Sequence, residues 1–297
     1  MSTSKKTVFT GSAVAVITPF RDEKLDYDAL GKIIDFQIDN GTDAIVICGT
    51  TGESSTLTDE EHIEAIAYTA ERVSKRVPVI AGAGSNDTKY AVWLSREAKR
   101  AGADALLQVT PYYNKATQKG LIRHFLTIAE AADIPNILYN VPSRTGCNIS
   151  LPVYRELAKH PNIVATKEAS GNISAITQLF AECGDELDVY SGNDDQIVPL
   201  LSLGAKGVIS VLSNVMPKET HDICRLFFEG KISESAKLQL SLLDLIGALF
   251  TEVNPVPVKA AMHMMGFCTE EIRLPLCEME DGNLEKLRAV MVRHGLI

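Results

Sequence analysis

The run Ile163-Val164-Ala165-Thr166-Lys167 is a short apolar segment, rich in β-branched residues, that ends in a lysine. A continuous apolar run of this length is typical of a strand buried on both faces of a parallel sheet. Seven similar runs recur with starts mostly 25 to 35 residues apart, which matches a repeated strand-and-helix unit. The eight predicted strands span residues 13–18, 44–48, 79–81, 105–109, 136–139, 163–167, 188–191 and 207–210.

The segments between these runs carry the end signals of helices. Asp26 can cap one helix and Asn172 a later one. A capping box formed by Thr58 and Glu61 opens another. The first helix is predicted to end near residue 40, the later one continues through residue 180, and a further helix covers residues 88–100.

Strands that alternate with helices in this way predict an α/β fold, a closed (β/α)8 TIM barrel. The alternative is a doubly wound open sheet, but the GxGxxG turn that would favour it does not follow the first strand. The glycine-rich residues 81–86 follow the third strand and are interpreted as a tight loop with close backbone approach.

After about residue 230 the pattern changes to helices without strands between them. These helices are predicted over residues 231–250, 256–265 and 283–294. We therefore expect a barrel over residues 1–230 that carries the active site, and a C-terminal α-helical domain over residues 231–297.

The composition limits the classes of partner. The 297-residue chain has a net charge of −9, which argues against nucleic acid and against anionic membrane surfaces. Its six cysteines and six histidines show no zinc-ligand spacing, so no metal site is expected. The N-terminus lacks the apolar core of a signal peptide, and no stretch approaches the length of a membrane span. We expect a cytoplasmic protein with free thiols.

Lys167 is the leading candidate for a catalytic residue because it ends a predicted buried strand. Desolvation favours the neutral amine of a buried lysine, and a neutral amine in a dry pocket attacks carbonyls to form a Schiff base. Alternatively, Lys167 ends the strand at the surface or forms an ion pair with Glu168.

Catalytic groups of a barrel lie at the carboxyl ends of its strands and in the loops that follow. Here those loops are rich in hydroxyl, aromatic and charged residues. They span residues 49–54, 110–114, 139–146 and 191–195, and Val208-Ile209-Ser210 lies on the last strand. Each loop also has a structural alternative, such as a turn at Gly49-Thr50-Thr51-Gly52 or loop packing by Tyr112 and Tyr113. Their joint location at one face favours the functional interpretation.

The residue types fit a reaction of a 2-oxo acid at Lys167. Thr50 and Thr51 can donate hydroxyl groups to its carboxylate. Tyr139 ends the neighbouring strand and is the natural proton carrier. Arg144 has a forked guanidinium that suits the carboxylate of a second substrate, although it could also be a surface charge.

Seven motifs, in order along most of the chain, resemble a single family. The family is the pyruvate-dependent class I aldolases, which include N-acetylneuraminate lyase. Thr50-Thr51 and Arg144 resemble, more narrowly, its branch that condenses pyruvate with L-aspartate 4-semialdehyde, because sialic-acid lyases usually have serine first in the pair and lack the arginine. The motifs are GTTGE, TPYYN, YNVPSRTG, KEASGN, SGNDD, GVISV and NPVPVKAAM.

The resemblance implies a Schiff-base lyase that makes 4-hydroxy-tetrahydrodipicolinate in lysine and diaminopimelate biosynthesis, without a metal or an organic cofactor. It implies that Tyr113 reaches the active site of a neighbouring subunit, so that a dimer is the minimum active unit. Tetramers made of two tight dimers are typical of the family. The implied catalytic residues are Lys167, Tyr139, Thr50 and Tyr113, and the implied substrate-binding residues are Thr51, Arg144 and, through their backbone, Gly192 and Ile209.

The resemblance also implies a possible effector site for lysine at the tight-dimer interface. In lysine-sensitive members, a histidine stands at the position of Asp59 and a glutamate at the position of Tyr90. Without that glutamate, the ammonium group of lysine loses a charge-assisted contact of about 1.5–3 kcal/mol. We expect weak or absent inhibition by lysine. The matching positions are Ser54, Ser55, Asp59, His62, Asn86, Tyr90 and Tyr112.

Two other functions stay open on the sequence. One is an aldolase that acts on another aldehyde, such as a sugar acid or N-acetylmannosamine, and Arg144 discriminates it from the leading function. The other is a catalytically silent barrel that binds an amino acid or serves as a scaffold. The joint presence of Lys167, Tyr139, Thr50 and Arg144 argues against the silent barrel.

Overall fold

A computed structural model describes residues 5–297 of the chain. Residues 1–4 lie outside this part. The predictions about a signal peptide and about the start of the barrel domain therefore fall partly outside the described residues. The strands are β1 Gly11–Ala15, β2 Phe20–Arg21, β3 Lys24–Leu25, β4 Ala44–Ile47, β5 Val79–Gly82, β6 Ala105–Val109, β7 Asn136–Asn140, β8 Ile163–Glu168, β9 Asp188–Ser191 and β10 Gly207–Ser210.

Eight of these strands close into a parallel barrel in the order β1-β10-β9-β8-β7-β6-β5-β4. Closure is made by β1, where Ala13 pairs with Ala44 of β4 on one side and with Ile209 of β10 on the other. This confirms the (β/α)8 barrel and excludes the open sheet. Each predicted strand coincides with one barrel strand to within three residues at either end.

Thirteen α-helices surround and extend the barrel within residues 5–297. They are α1 Tyr27–Asp39, α2 Asp59–Val73, α3 Thr88–Arg100, α4 Gln118–Ala132, α5 Pro142–Thr145, α6 Leu151–Leu157, α7 Ile173–Cys183, α8 Ile197–Ser202, α9 Pro217–Phe228, α10 Ile232–Ser241, α11 Leu243–Ala248, α12 Val256–Met264 and α13 Asp281–Arg293. No helix of this part is long and apolar enough to cross a membrane.

The predicted helix starts are confirmed by their hydrogen bonds. Asp26 accepts from the backbone N–H of Ala29 at 2.9 Å. Thr58 and Glu61 form both bonds of a capping box, and Asn172 accepts from the N–H of Ala175. These caps satisfy N–H groups that a helix start leaves without partners.

The C-terminal segment after residue 230 contains α10 to α13 and no strand among the described residues, as predicted. The prediction of a single helix over residues 231–250 is wrong in one respect, because the structure has two helices there. Leu242 ends α10 and begins α11, with φ −104° and ψ 0° outside the helical range.

The inside of the barrel is packed with side chains from all eight of its strands. Val46, Ile80, Ile137 and Ile209 are among its buried members. Phe9, which precedes β1, stacks on Tyr190 with ring centroids 4.2 Å apart. A filled interior leaves space for ligands only at the strand ends and in their loops.

The glycine-rich residues 81–86 make the close approach predicted for them. A Cβ on Gly82 would lie 2.0 Å from the carbonyl oxygen of Cys48, so the two strand ends can approach only because residue 82 has no side chain. Cys48 is itself a buried free thiol.

Candidate active site

The strand register places the two leading catalytic candidates side by side. Tyr139 of β7 pairs with Lys167 of β8, and Asn140 pairs with Glu168 one step further along. Because neighbouring residues of a strand point to opposite faces, Lys167 and Tyr139 share one face while Glu168 and Asn140 share the other.

Lys167 is buried, with 5% of its surface exposed, and its Nζ lies 4.5 Å from the centroid of the Tyr139 ring. Within residues 5–297 its ammonium group has no ion-pair partner. The alternative pairing with Glu168 is not made, because that carboxylate accepts hydrogen bonds from the Tyr154 hydroxyl at 3.0 Å and the Ser170 N–H at 2.8 Å. The lysine side chain is therefore buried without an ion pair among residues 5–297.

Gly192, at the end of β9, leaves room beside the lysine side chain. A Cβ there would lie 3.1 Å from Lys167 Cε and 2.7 Å from the Cβ of Ala169. Any larger residue would push the lysine out of its position, so the chain needs glycine here for a steric reason.

Asn254 connects the two predicted carboxylate-binding groups. Its Nδ2 donates to Thr51 Oγ1 at 3.0 Å, and its backbone carbonyl accepts from Arg144 Nη2 at 3.2 Å. Since the Thr51 hydroxyl accepts from Asn254, its own proton is free to be donated to an anionic ligand. The Arg144 guanidinium keeps further N–H groups for a second anion.

These groups face a cavity of about 220 Å³ at the mouth of the barrel. It holds one nucleophilic amine, one phenol, two threonine hydroxyls and one guanidinium. A small molecule with a carbonyl and a carboxylate fits this set of groups. The lining residues are Ala15, Val46, Gly49, Thr50, Thr51, Leu107, Tyr139, Val141, Ser143, Arg144, Lys167, Ala169, Gly192, Asn193, Val211, Phe250 and Asn254.

The sequence matches the model of the dihydrodipicolinate synthetase family over residues 8–293. This chain belongs to the dihydrodipicolinate synthetase family. Among its relatives is a 4-hydroxy-tetrahydrodipicolinate synthase from Lachnoclostridium phytofermentans, which is 58% identical over 98% of this chain and 99% of its own length.

Solved structures of the dihydrodipicolinate synthetase family share the whole fold. Dihydrodipicolinate synthase from Aquifex aeolicus is 49% identical and superposes with a TM-score of 0.95 over 97% of this chain and 99% of its own. The chloride-inhibited enzyme from Acinetobacter baumannii, complexed with pyruvate, is 42% identical with a TM-score of 0.95 over 98% of this chain and all of its own.

Two predicted site residues lie away from the cavity in this family member. The Ile209 side chain is fully buried inside the barrel, whereas the prediction concerns its backbone, and Val211, two residues later, lines the cavity. Tyr113 is 90% exposed, and its backbone is in the left-handed region with φ 71°. Such a conformation costs a non-glycine residue about 1–3 kcal/mol, so the surroundings must hold it.

A second cavity of about 440 Å³ adjoins the first. Of the predicted effector-site residues, Ser54, Ser55, His62, Tyr90 and Tyr112 line it. Asp59 and Asn86 do not line it. Asp59 accepts a hydrogen bond from the Tyr90 hydroxyl at 2.5 Å, and the backbone carbonyl of Asn86 accepts one from the Asn114 side chain.

The two cavities have a common wall. Thr50, Tyr139 and Arg144 line both of them, together with Gly49, Leu107 and Val141. His62, on the far side of this wall, donates from Nε2 to the Gly82 carbonyl at 2.7 Å, and burial lowers the pKa of its imidazole. A ligand in the second cavity would therefore touch residues of the first.

Asn254 is the candidate site residue that sequence reasoning does not identify, although NPVPVKAAM is among the motifs that carry the resemblance. Val211 and Phe250 had no distinguishing signal, because apolar residues at a cavity wall look like core residues. Within residues 5–297, no group of three or more His, Cys, Asp or Glu residues is placed to hold a metal ion.

Proposed function

We propose that this chain condenses pyruvate with L-aspartate 4-semialdehyde to give 4-hydroxy-tetrahydrodipicolinate, through a Schiff base at Lys167. The observation that carries the proposal is the buried amine of Lys167 beside Tyr139, in a member of the dihydrodipicolinate synthetase family. Relatives at 52–58% identity bear the name 4-hydroxy-tetrahydrodipicolinate synthase. The product belongs to lysine and diaminopimelate biosynthesis.

In the first half-reaction the neutral amine of Lys167 attacks C2 of pyruvate. The carbinolamine loses water to give an imine, and removal of a C3 proton gives the nucleophilic enamine. Tyr139 is the closest proton carrier, because its ring lies beside the Lys167 ammonium. The pyruvate carboxylate is held by the hydroxyls of Thr50 and Thr51.

In the second half-reaction the enamine carbon attacks the aldehyde carbon of the semialdehyde, whose carboxylate is bound by Arg144. A new carbon–carbon bond forms, and the aldehyde oxygen becomes a hydroxyl after taking up a proton. The amino group of the semialdehyde then attacks the imine carbon and displaces the Lys167 amine. The ring closes and the free enzyme is restored, so no external oxidant or reductant is needed.

The decisive experiment measures product formation from the two substrates, coupled to a reductase that consumes a nicotinamide cofactor. Turnover with both substrates, and none when either is omitted, is the expected result. If pyruvate is still trapped on the enzyme by borohydride but no product forms, the family chemistry holds and the semialdehyde assignment is wrong. Failure of both readouts would leave the silent barrel as the better explanation.

Arg144→Ala is expected to lower kcat/KM for the semialdehyde by about 10- to 150-fold, the equivalent of about 1.5–3 kcal/mol from lost charge-assisted hydrogen bonds. Adduct formation with pyruvate should change little, since Arg144 contacts only the second substrate in the proposal. Initial rates and borohydride trapping measure the two effects separately. Wild-type use of the semialdehyde by this variant would favour an aldolase that acts on another aldehyde.

We further propose that the active unit is a homo-oligomer, with a tetramer of two dimers as the expected form. The support is Tyr113, an aromatic residue with 90% of its surface exposed on a loop held in a strained conformation. A second copy of the chain would cover this side chain and receive its hydroxyl at the site. One solved relative is described as a monomeric dihydrodipicolinate synthase variant, so the assembly must be measured.

The family resemblance implies a proton relay in which Thr50 and Tyr113 act with Tyr139. Tyr113→Phe tests this relay directly, because it keeps the ring and removes the hydroxyl. We expect turnover to fall by about 10²-fold, the lower end for one group in proton transfer. Sedimentation velocity should show an unchanged assembly. Full activity in this variant would remove Tyr113 from the relay.

Lysine is expected to inhibit this enzyme weakly or not at all. The second cavity has no acidic residue in its lining, and the carboxylate of Asp59 accepts a hydrogen bond from the Tyr90 hydroxyl. Burial and this hydrogen bond raise the pKa of the Tyr90 hydroxyl, which keeps it neutral. Turnover measured against lysine concentration tests this, and a clear drop at millimolar lysine would contradict it.

We also propose a division of the chain into two domains and a cellular location. We assign residues 1–230 to the catalytic barrel and residues 231–297 to a C-terminal helical domain. We assign the protein to the cytoplasm, supported by six free cysteines, five of them buried. Cell fractionation would test the location, and recovery with the secreted fraction would contradict it.

A further inference from the structure

The loop that carries Thr50 and Thr51 is attached at three points to the C-terminal segment. Asn254 donates to Thr51 Oγ1 at 3.0 Å. Two residues further along the loop, Glu53 forms an ion pair with Lys259 of α12. Next along the loop, Arg273 Nη1 donates to the Thr56 carbonyl at 2.9 Å.

The ion pair between Glu53 and Lys259 is buried on both sides, with 1% of either side chain exposed. The Lys259 Nζ also lies 4.1 Å from the centroid of the Phe20 ring. The second oxygen of the Glu53 carboxylate accepts from the backbone N–H of Arg273 at 3.2 Å. Both charges are thus compensated, and their geometry is set by several directional contacts.

The backbone at Glu53 adds a second, independent observation. Its φ of 53° lies in the left-handed region that glycine favours, although the side chain is a glutamate. This conformation costs about 1–3 kcal/mol and persists only where the surroundings over-determine it. A buried ion pair gives little net stability compared with apolar packing, but it does define a single arrangement.

We propose that Glu53 and Lys259 are positioning residues, which fix residues 49–57 so that Thr50 and Thr51 face Lys167. The C-terminal segment is then a part of the pyruvate-binding apparatus and not only a covering of the barrel. This inference rests on the proposed function, because it takes the threonine hydroxyls as the groups that bind the pyruvate carboxylate.

If the ion pair only stabilised the fold, its removal would leave pyruvate binding unchanged in the folded protein. A matched set of variants separates this structural role from the positioning role. Replacing one partner would leave an uncompensated buried charge and would unfold the protein. The double variant Glu53→Gln/Lys259→Met removes both charges and keeps the volumes. Asp244→Asn is the control, because it breaks an ion pair between α11 and Arg293 of α13 that does not touch the loop.

The measurement is the pyruvate concentration at which half of the enzyme is trapped by borohydride, read by intact mass. We expect this concentration to rise at least about tenfold in the folded double variant, equivalent to about 1.4 kcal/mol. Trapping at saturating pyruvate and the melting temperature should stay close to wild type. The Asp244→Asn control should keep the wild-type concentration.

An unchanged half-saturating concentration in the folded double variant would overturn the inference. If the double variant does not fold, Lys259→Arg decides, because it keeps the charge but changes the donor geometry. A rise of more than about threefold with Lys259→Arg supports positioning, and no rise overturns it. If wild-type enzyme traps no pyruvate at any concentration, the proposed function itself is wrong, which is a distinct outcome.

Discussion

Lys167→Ala is expected to lower turnover by at least about 10⁴-fold, since removal of a covalent nucleophile eliminates the path through the intermediate. The same variant should carry no pyruvate after borohydride reduction. The coupled assay and intact mass spectrometry measure these two results on one preparation. Turnover within tenfold of wild type would rule out the Schiff base.

The stability of this variant should move in the opposite direction to its activity. Lys167 is buried, and its ammonium has no ion-pair partner among residues 5–297, so removing it deletes a desolvated group and breaks no ion pair. The melting temperature is therefore expected to stay the same or rise. Lys206→Ala, at a lysine that is half exposed on the surface, is the control for both readouts.

Tyr139→Phe is expected to lower turnover by about 10² to 10⁴-fold, the range for one group in general acid–base catalysis. The ring that packs beside Lys167 stays in place, so the loss is specific to the hydroxyl. The rate of borohydride-trappable adduct formation should fall by a similar factor, because carbinolamine dehydration needs the proton. Rapid mixing with pyruvate before reduction measures that rate.

Tyr190→Phe is a matched control for this variant. Tyr190 is a buried tyrosine of the neighbouring strand, paired in register with Lys167, and its hydroxyl donates to the Phe9 carbonyl at 2.7 Å. Loss of that bond should cost about 1 kcal/mol of stability, with turnover nearly unchanged. Equal losses of activity in both variants would show that removing a buried tyrosine hydroxyl near Lys167 lowers turnover in general, and would remove the evidence for proton transfer by Tyr139.

The barrel was predictable because its strands carry a signal that is local. Runs such as residues 188–191 and 207–210 are short, apolar and bounded by turn residues, and they match the strands of the structure without error. The positions of the candidate catalytic residues Tyr139 and Lys167 were predictable for the same reason, since each ends such a run. The register between two neighbouring strands then brings them together.

The hairpin of β2 and β3 could not be predicted in this way. Its two-residue turn, Asp22-Glu23, has φ values of 52° and 62°, for which asparagine and glycine are the usual residues. Glutamate gives no such signal. The break at Leu242 lacks a proline or a glycine as well, so only tertiary packing ends α10 there.

Contacts between distant parts of the chain were the other limit. Thr51 and Asn254 are 203 residues apart and meet only after the C-terminal helices have docked. No periodicity or spacing encodes such a pair. The same applies to Val211, which lines the cavity in place of Ile209 because β10 ends at Ser210 and the chain turns there.

The wall common to the two cavities restricts how this protein can diversify. If Thr50, Tyr139 and Arg144 have the roles proposed above, they cannot be exchanged to suit a new ligand in the larger cavity without loss of the chemistry proposed for the smaller one. Substitutions that alter the ligand specificity of the larger cavity are therefore confined to its outer residues, such as Ser55 and Tyr90. Design of a site for a new regulatory ligand should begin at those positions, where substitutions are expected to affect catalysis least.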